Sequence, residues 1–223
     1  MAKIVFIGAA NPETIRVARA MEKYDENFCV HGFIDNDKLK HGKKFYGFPI
    51  FGGIEVIAEI NSPDVFFVNL ITGSTSARYE VTLAAVENGA KLINFIHPSV
   101  DRTMTKIGVG NYIQEGVIIQ ANVSIGDNSS IHMGSLIGHE SYIGNSVFIA
   151  HGVSVSGCCI IDDGCFIGTN ATILPRVKIG KWSTIGAGSV ITKDVPDYSV
   201  VIGNPGRIIK KNIIQYEDGK IYK

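Results

Sequence analysis

The chain has no excess of charge. Its 223 residues carry 21 Lys and Arg against 21 Asp and Glu, a formal net charge of +0 at pH 7. That balance removes the electrostatic case for nucleic acid or an anionic membrane as partner. Long apolar runs are missing as well. The stretch Ile4 to Ile7 is far too short for the core of a signal peptide or a membrane span, so a cytoplasmic protein is expected. The four cysteines, Cys29, Cys158, Cys159 and Cys165, show neither metal-ligand spacing nor a spread-out disulfide framework, and are expected to be reduced and structural. The Gly-x-Gly-x-x-Gly fingerprint is absent too, so no dinucleotide cofactor is expected.

What is present divides into two periods. Over the first hundred residues, short apolar runs alternate with helix-like stretches, the pattern of βαβ units around a parallel sheet. Ile4–Ile7, Val30–Ile34, Val65–Leu70 and Lys91–Ile96 read as strands. Asn11-Pro12-Glu13 reads as the cap and first turn of a helix reaching about Tyr24, and Ser76–Asn88 as a second helix.

From Ile107 onward, Ile or Val stands at every sixth residue through Ile191, without insertion. Four residues after each comes Ser, Ala, Val or Cys, with Asn111 the exception. One large and one small inward residue per hexad suit a triangular coil of three hexads, stacked as parallel strands at 18 residues per turn. Cys159 and Cys165 fall in the small inward slot, whereas Cys158 falls outside it. Glycines directly after the aliphatic residue, as at Gly108, Gly126, Gly138, Gly144, Gly180 and Gly186, are expected to serve corners that need a permissive backbone.

The slot before each aliphatic residue should face outward, yet it holds Tyr112, Ile118, Leu136, Tyr142, Phe148, Ile160 and Phe166. Exposed apolar columns suggest an interface, and two such faces on a three-sided prism favour a closed ring. The alternative is that other parts of the same chain cover them.

Of six histidines, His139 stands out in Gly138-His139-Glu140, where its side chain should project from a coil corner beside an orienting carboxylate. Adding 18 places Gly157 one coil along, about 4.8 Å away. A base with an accessible amide beside it suits deprotonation of an acceptor and stabilisation of an oxyanion.

The chain resembles bacterial sugar acetyltransferases related to sialic-acid O-acetyltransferase and UDP-4-amino-sugar N-acetyltransferase. The resemblance rests on Asn94-Phe-Ile-His97-Pro98, Gly138-His139-Glu140-Ser-Tyr-Ile143-Gly144 and the ending Val201-Ile-Gly203-Asn204-Pro205-Gly206-Arg207. It implies a Rossmann-like α/β domain over 1–100 that binds a sugar nucleotide. Over 101–223 it implies an all-β left-handed parallel β-helix with a C-terminal tail closing over CoA. It also implies a homotrimer, acetyl-CoA as co-substrate, no metal requirement, and a small sugar or nucleotide-sugar acceptor. His139 would be the base and Glu140 would tune it. Gly157, Phe148, Thr169 and Ala187 would contact acetyl-CoA; Asp35, Asn36 and Gly73 would contact the acceptor's nucleotide. The first turn, Gly8-Ala9-Ala10-Asn11-Pro12, departs from the family's glycine-rich form but leaves a helix N-terminus for an anion.

The expected reaction is N-acetylation of a nucleotide-linked amino-dideoxy sugar of glycan biosynthesis, with sugar O-acetylation as the alternative. A zinc enzyme of the γ-carbonic-anhydrase type using His132, His139 and His151 is a further possibility. Those three belong to different columns by the 18-residue count. A non-catalytic scaffold is the last.

Overall fold

Strand β1 (Ala2–Ile7) is apolar without a break from Ile4 to Ile7 because both faces of that stretch are covered. It is the centre of a parallel three-stranded sheet in the order β2 (Phe28–Ile34), β1, β5 (Val65–Asn69). Ile4 and Phe6 pack on one side with Phe33, Phe95 and Ile15, while Val5 and Ile7 pack on the other with Phe67, Ile57 and Ala85. A strand buried on both faces loses the polar alternation of a surface strand. A short hairpin of β3 (Lys44–Phe45) and β4 (Phe48–Pro49) and the turn of helix α2 (Ile57–Ile60) lie between β2 and β5. The computed structural model describes residues 1–212, 215–217 and 220–222. It divides into two units, Met1–Pro98 with Val109–Tyr112, and Ser99–Gly108 with Ile113–Lys223. Residues 213, 214, 218, 219 and 223 of the expected C-terminal tail lie outside the described residues.

Helix α1 (Glu13–Tyr24) begins where Asn11 Oδ1 accepts the Glu13 N–H at 3.0 Å, the cap that its sequence announced. Helix α3 (Thr75–Glu87) is capped by the Ser74 hydroxyl, which accepts from the Ala77 N–H. One expectation fails: Lys91–Ile96 is not a continuous strand. Phe67 donates to the Lys91 carbonyl and accepts from the Ile93 N–H, a single bridge to Leu92; only β6 (Phe95–Ile96) is then extended. The Asn94 side chain intervenes by accepting the Asn111 N–H at 2.9 Å.

The second unit is a left-handed parallel β-helix built on the hexads. Its strands are two residues long and stack in three parallel faces at an 18-residue register, as in Leu136 over Ile118 and Ser154 over Leu136. The inward aliphatics Ile131, Ile137, Ile143, Ile149, Val155 and Ile161 have no exposed surface, and neither do Ser129, Ser135, Cys159 and Cys165 in the small slot. Buried hydroxyls need partners. Inward serines relay between coils: Ser135 Oγ, for example, donates to the Ala150 carbonyl at 2.7 Å and accepts from the Val153 N–H. Cys159 and Cys165 take over this role, their thiols donating to the carbonyls of Leu174 and Gly180 at 3.1 Å. Burial holds both thiols protonated, above their ordinary pKa.

The corner expectation needs correcting. The left-handed backbone lies three residues past the aliphatics, at Asn122, Glu140, Cys158 and Arg176 on one corner and at Gly134, Gly152, Asn170 and Gly188 on another. The glycines directly after the aliphatics answer to crowding instead. A Cβ on Gly138 would come within 2.4 Å of the Ser156 carbonyl carbon. A second correction concerns the outward slots. Tyr112 is 2% exposed and stacks on Phe95, and Phe148 is 7% exposed, sandwiched between Phe166 and His132. Ile118, Tyr142 and Ile160 are the apolar residues of this slot that stand open to solvent.

Candidate active site

His139 follows the inward Ile137 by two residues, where the chain rounds a corner, so its imidazole projects outward and is largely exposed. Three bonds from backbone N–H groups fix the corner. The His139 N–H donates to Gln120 Oε1 at 2.9 Å, the Glu140 N–H to the Ala121 carbonyl at 3.0 Å, and the Cys158 N–H to the His139 carbonyl at 2.8 Å. Gln120 was not singled out in the sequence, because it acts from 19 residues away while the columns repeat every 18.

The imidazole Nδ1 lies 3.0 Å from Glu140 Oε2. An ionised carboxylate only accepts, so Nδ1 carries the proton and Nε2 presents its lone pair. The face of the ring lies against the next coil at Gly157: a Cβ built there would lie 2.6 Å from Nε2 and 2.8 Å from Cε1. The ring thus rests on the one residue type that leaves it room. Among the described residues the Gly157 N–H has no partner. Base and amide therefore share one corner, as the 18-residue count anticipates.

Phe148, Thr169 and Ala187 sit at a different corner of the same unit. Thr169 and Ala187 are exposed and stack, the Gly188 N–H donating to the Thr169 carbonyl at 2.8 Å and the Asn170 N–H to the His151 carbonyl at 3.0 Å. Phe148 reaches this column through His132, whose ring meets Phe148 at 4.6 Å and His151 at 4.9 Å. Within one chain this set and the His139 corner are not brought together. At the C-terminal end of the coils, the segment Val201–Arg207 folds down on the last turn, the Gly206 N–H donating to the Val190 carbonyl. Beside it is a cavity of about 520 Å³ lined by Ile191, Lys193, Asp194, Val201 and Arg207 among others.

In the N-terminal unit, Asp35 is an organiser of loops. Its carboxylate accepts from the Ala9 N–H at 2.9 Å, from Lys40 Nζ at 2.8 Å and from the Asp37 N–H at 2.9 Å. Burial pushes its pKa up, but the Lys40 bond and the two backbone donors outweigh burial and leave it below the ordinary 3.8. Asn36 accepts from the Ile54 N–H at 3.1 Å. Gly73 is exposed, just before the capping Ser74, with open space around it. All three follow the C-terminal ends of β2 and β5, the parallel strands on either side of β1, where open α/β sheets bind ligands. A residue missed from sequence supports the loop that follows β5. Arg78 is fully buried and donates to the carbonyls of Asn69 and Ile71 at 2.7 and 3.2 Å, and of Gly110 at 3.1 Å. Its desolvation lowers its pKa to about 9.

Coils of this kind have a family counterpart. Residues 140–174 and 159–193 match the bacterial transferase hexapeptide (six repeats). A 52-residue segment, 23% of this chain, is 58% identical to 2,3,4,5-tetrahydropyridine-2,6-dicarboxylate N-acetyltransferase of Clostridium perfringens strain SM101, and spans only 22% of that relative's length. Solved structures match far more of the chain. PerB of Caulobacter crescentus, in complex with CoA and GDP-perosamine, is 26% identical with a TM-score of 0.83, over 94% of this chain and 98% of that one. The acetyltransferase domain of PglB from Neisseria gonorrhoeae, in complex with acetyl coenzyme A, is 25% identical with a TM-score of 0.81, over 93% and 98%. Among the described residues no helix is long and apolar enough to cross a membrane.

Proposed function

We propose that the protein is an acetyl-CoA-dependent N-acetyltransferase acting on an amino sugar, carried on a nucleotide and destined for a surface glycan. The observation that carries this reading is the His139 corner: Nδ1 tied to Glu140 at 3.0 Å and the ring, with its Nε2, resting on Gly157. The likeness of nearly the whole chain to proteins solved with CoA, acetyl coenzyme A and a GDP-linked sugar supplies the substrate classes.

In the proposed reaction the acceptor amine gives its proton to Nε2 as its nitrogen attacks the thioester carbonyl. The Glu140 carboxylate stabilises the imidazolium that forms. The Gly157 N–H faces the developing oxyanion. Collapse breaks the carbon–sulfur bond, and the departing thiolate takes the proton back. Phe148, Thr169 and Ala187 border the acetyl-CoA groove, and the cationic Lys193 and Arg207 beside the terminal cavity suit the CoA phosphates. Asp35, through the loops it ties, together with Asn36 and Gly73, shapes the acceptor's nucleotide site. The two separate corners would border one ligand if neighbouring copies meet, so a homotrimer is part of this reading, with Ile118, Tyr142 and Ile160 as exposed apolar surface available for it. The four unpaired cysteines suit a cytoplasmic location.

The test is an acetyl-transfer assay over nucleotide-linked amino sugars and hydroxyl sugars, with His139→Ala as control. Transfer to an amine that His139→Ala abolishes supports the reading. Transfer confined to hydroxyls replaces it with O-acetylation, and full activity in His139→Ala removes the base.

A further inference from the structure

The corner that holds the base holds a thiol as well. Cys158 stands one coil beyond Glu140, its Sγ 3.8 Å from Glu140 Oε2. One ligating atom from each of His139, Glu140 and Cys158 lies within 4.8 Å of the others. We propose that these three side chains bind a thiophilic divalent cation such as zinc, and that the bound cation switches the base off. The second half of this proposal rests on the reading of His139 as base; the first half does not.

The donor set is imidazole nitrogen, carboxylate oxygen and thiolate sulfur, which zinc prefers. Tetrahedral zinc with nitrogen and oxygen ligands near 2.0–2.1 Å and sulfur near 2.3 Å holds its donors roughly 3.3–3.7 Å apart. The distances present, 3.0 Å for nitrogen to oxygen and 3.8 Å for sulfur to oxygen, bracket that range. Small rotations of these side chains, two exposed and one half-buried, close the difference. The backbone does not need to move, because the corner is already tied by the bonds from the N–H groups of His139, Glu140 and Cys158. Three protein ligands leave the fourth position to water.

The consequence follows from the imidazole's two nitrogens. The cation takes Nδ1, whose proton moves to Nε2, so the neutral ring now donates where it had accepted. The Cys158 thiol gives its proton to solvent as the metal–sulfur bond forms, and the Glu140 carboxylate exchanges the imidazole N–H for the cation. No electron is transferred. Nε2 then has no lone pair for the acceptor's proton, although the acetyl-CoA groove is untouched.

The experiment titrates the intact reduced protein, freed of thiol reductant, with Co²⁺. One equivalent is expected to bind with a sulfur-to-cobalt charge-transfer band and the visible spectrum of a tetrahedral site, both displaced by Zn²⁺. Cys158→Ser should abolish the charge-transfer band; His139→Ala and Glu140→Gln should weaken binding by more than about tenfold, since even outer-shell changes cost that much. Failure to bind one equivalent, or an unchanged band in Cys158→Ser and Cys158→Ala, overturns the site. For the switch, Zn²⁺ should inhibit acetyl transfer reversibly by chelator, while Cys158→Ser keeps the parent's basal rate and resists Zn²⁺. Equal sensitivity in that variant overturns the switch. If the protein transfers no acetyl group at all, the proposed function and the switch fall together, and the cobalt spectra still decide the site.

Discussion

Gly157→Ala is the sharpest perturbation of the proposed mechanism, because it adds a single carbon between two coils. The new Cβ would stand 2.6 Å from His139 Nε2, 2.8 Å from Cε1 and 3.0 Å from Cδ2. Carbon contacts are comfortable only near 3.5–4.0 Å, so the ring must retreat by about 1 Å. The imidazole is exposed and can swing toward solvent, and Gly157 is not in the left-handed region, so alanine carries no backbone penalty there. Folding should therefore change little while the base is misplaced. A displacement of that size costs about 100-fold in kcat, equivalent to roughly 2.7 kcal/mol of barrier. The assay follows CoA thiol release at saturating acceptor and acetyl-CoA, beside the unfolding midpoint, which is expected to match the parent. The cycle with His139→Ala isolates the cause: once the ring is gone, the added methyl has nothing to displace. A kcat within threefold of the parent, or an equal loss in both backgrounds, would refute the reasoning.

Three further outcomes are expected. Gln120→Leu removes the acceptor of the His139 N–H and should lower kcat several-fold with little change in KM for acetyl-CoA, while Gln120→Glu, which still accepts, should restore most of the rate. Ser135→Ala leaves the Ala150 carbonyl and the Val153 N–H without their shared partner and should cost about 1–3 kcal/mol in urea unfolding; Ser135→Cys should cost less, because Cys159 and Cys165 already serve in that slot. Asp35 has a folded pKa below its ordinary 3.8, so its contribution to stability is present above that value and is lost as pH falls through the folded one. The difference in unfolding free energy between the parent and Asp35→Asn should accordingly be full at neutral pH and shrink in acid. A pH-independent difference would remove the charge from the explanation.

The β-helix was legible because its period is strict: every coil repeats the same small volume, so one large and one small inward residue per hexad suffice to set the register. What covers the outside was not legible. Periodicity says that Tyr112 and Phe148 point away from the coil axis, but Phe95 for one and His132 with Phe166 for the other then bury them. Pairs of large rings satisfy one another, and no one-dimensional pattern records that. Arg78 was missed for a related reason. An arginine in a helix reads as solvent-facing, whereas this one is surrounded by backbone carbonyls whose positions depend on the folded loops.

The candidate site shows the same division between what repeats and what does not. His139 and Gly157 could be paired from the sequence because both obey the 18-residue count. Gln120 breaks it by one residue, since a side chain long enough to reach the next coil's backbone meets the N–H that follows the expected one. Asp35 was expected to meet a ligand, yet two backbone N–H groups and Lys40 occupy its carboxylate. A group so engaged binds poorly by itself but holds the Ala9 and Asp37 turns in fixed relation. If the acceptor's nucleotide sits there, Asp35→Asn should raise the acceptor's KM while leaving KM for acetyl-CoA unchanged. The opposite split would place Asp35 outside acceptor binding altogether.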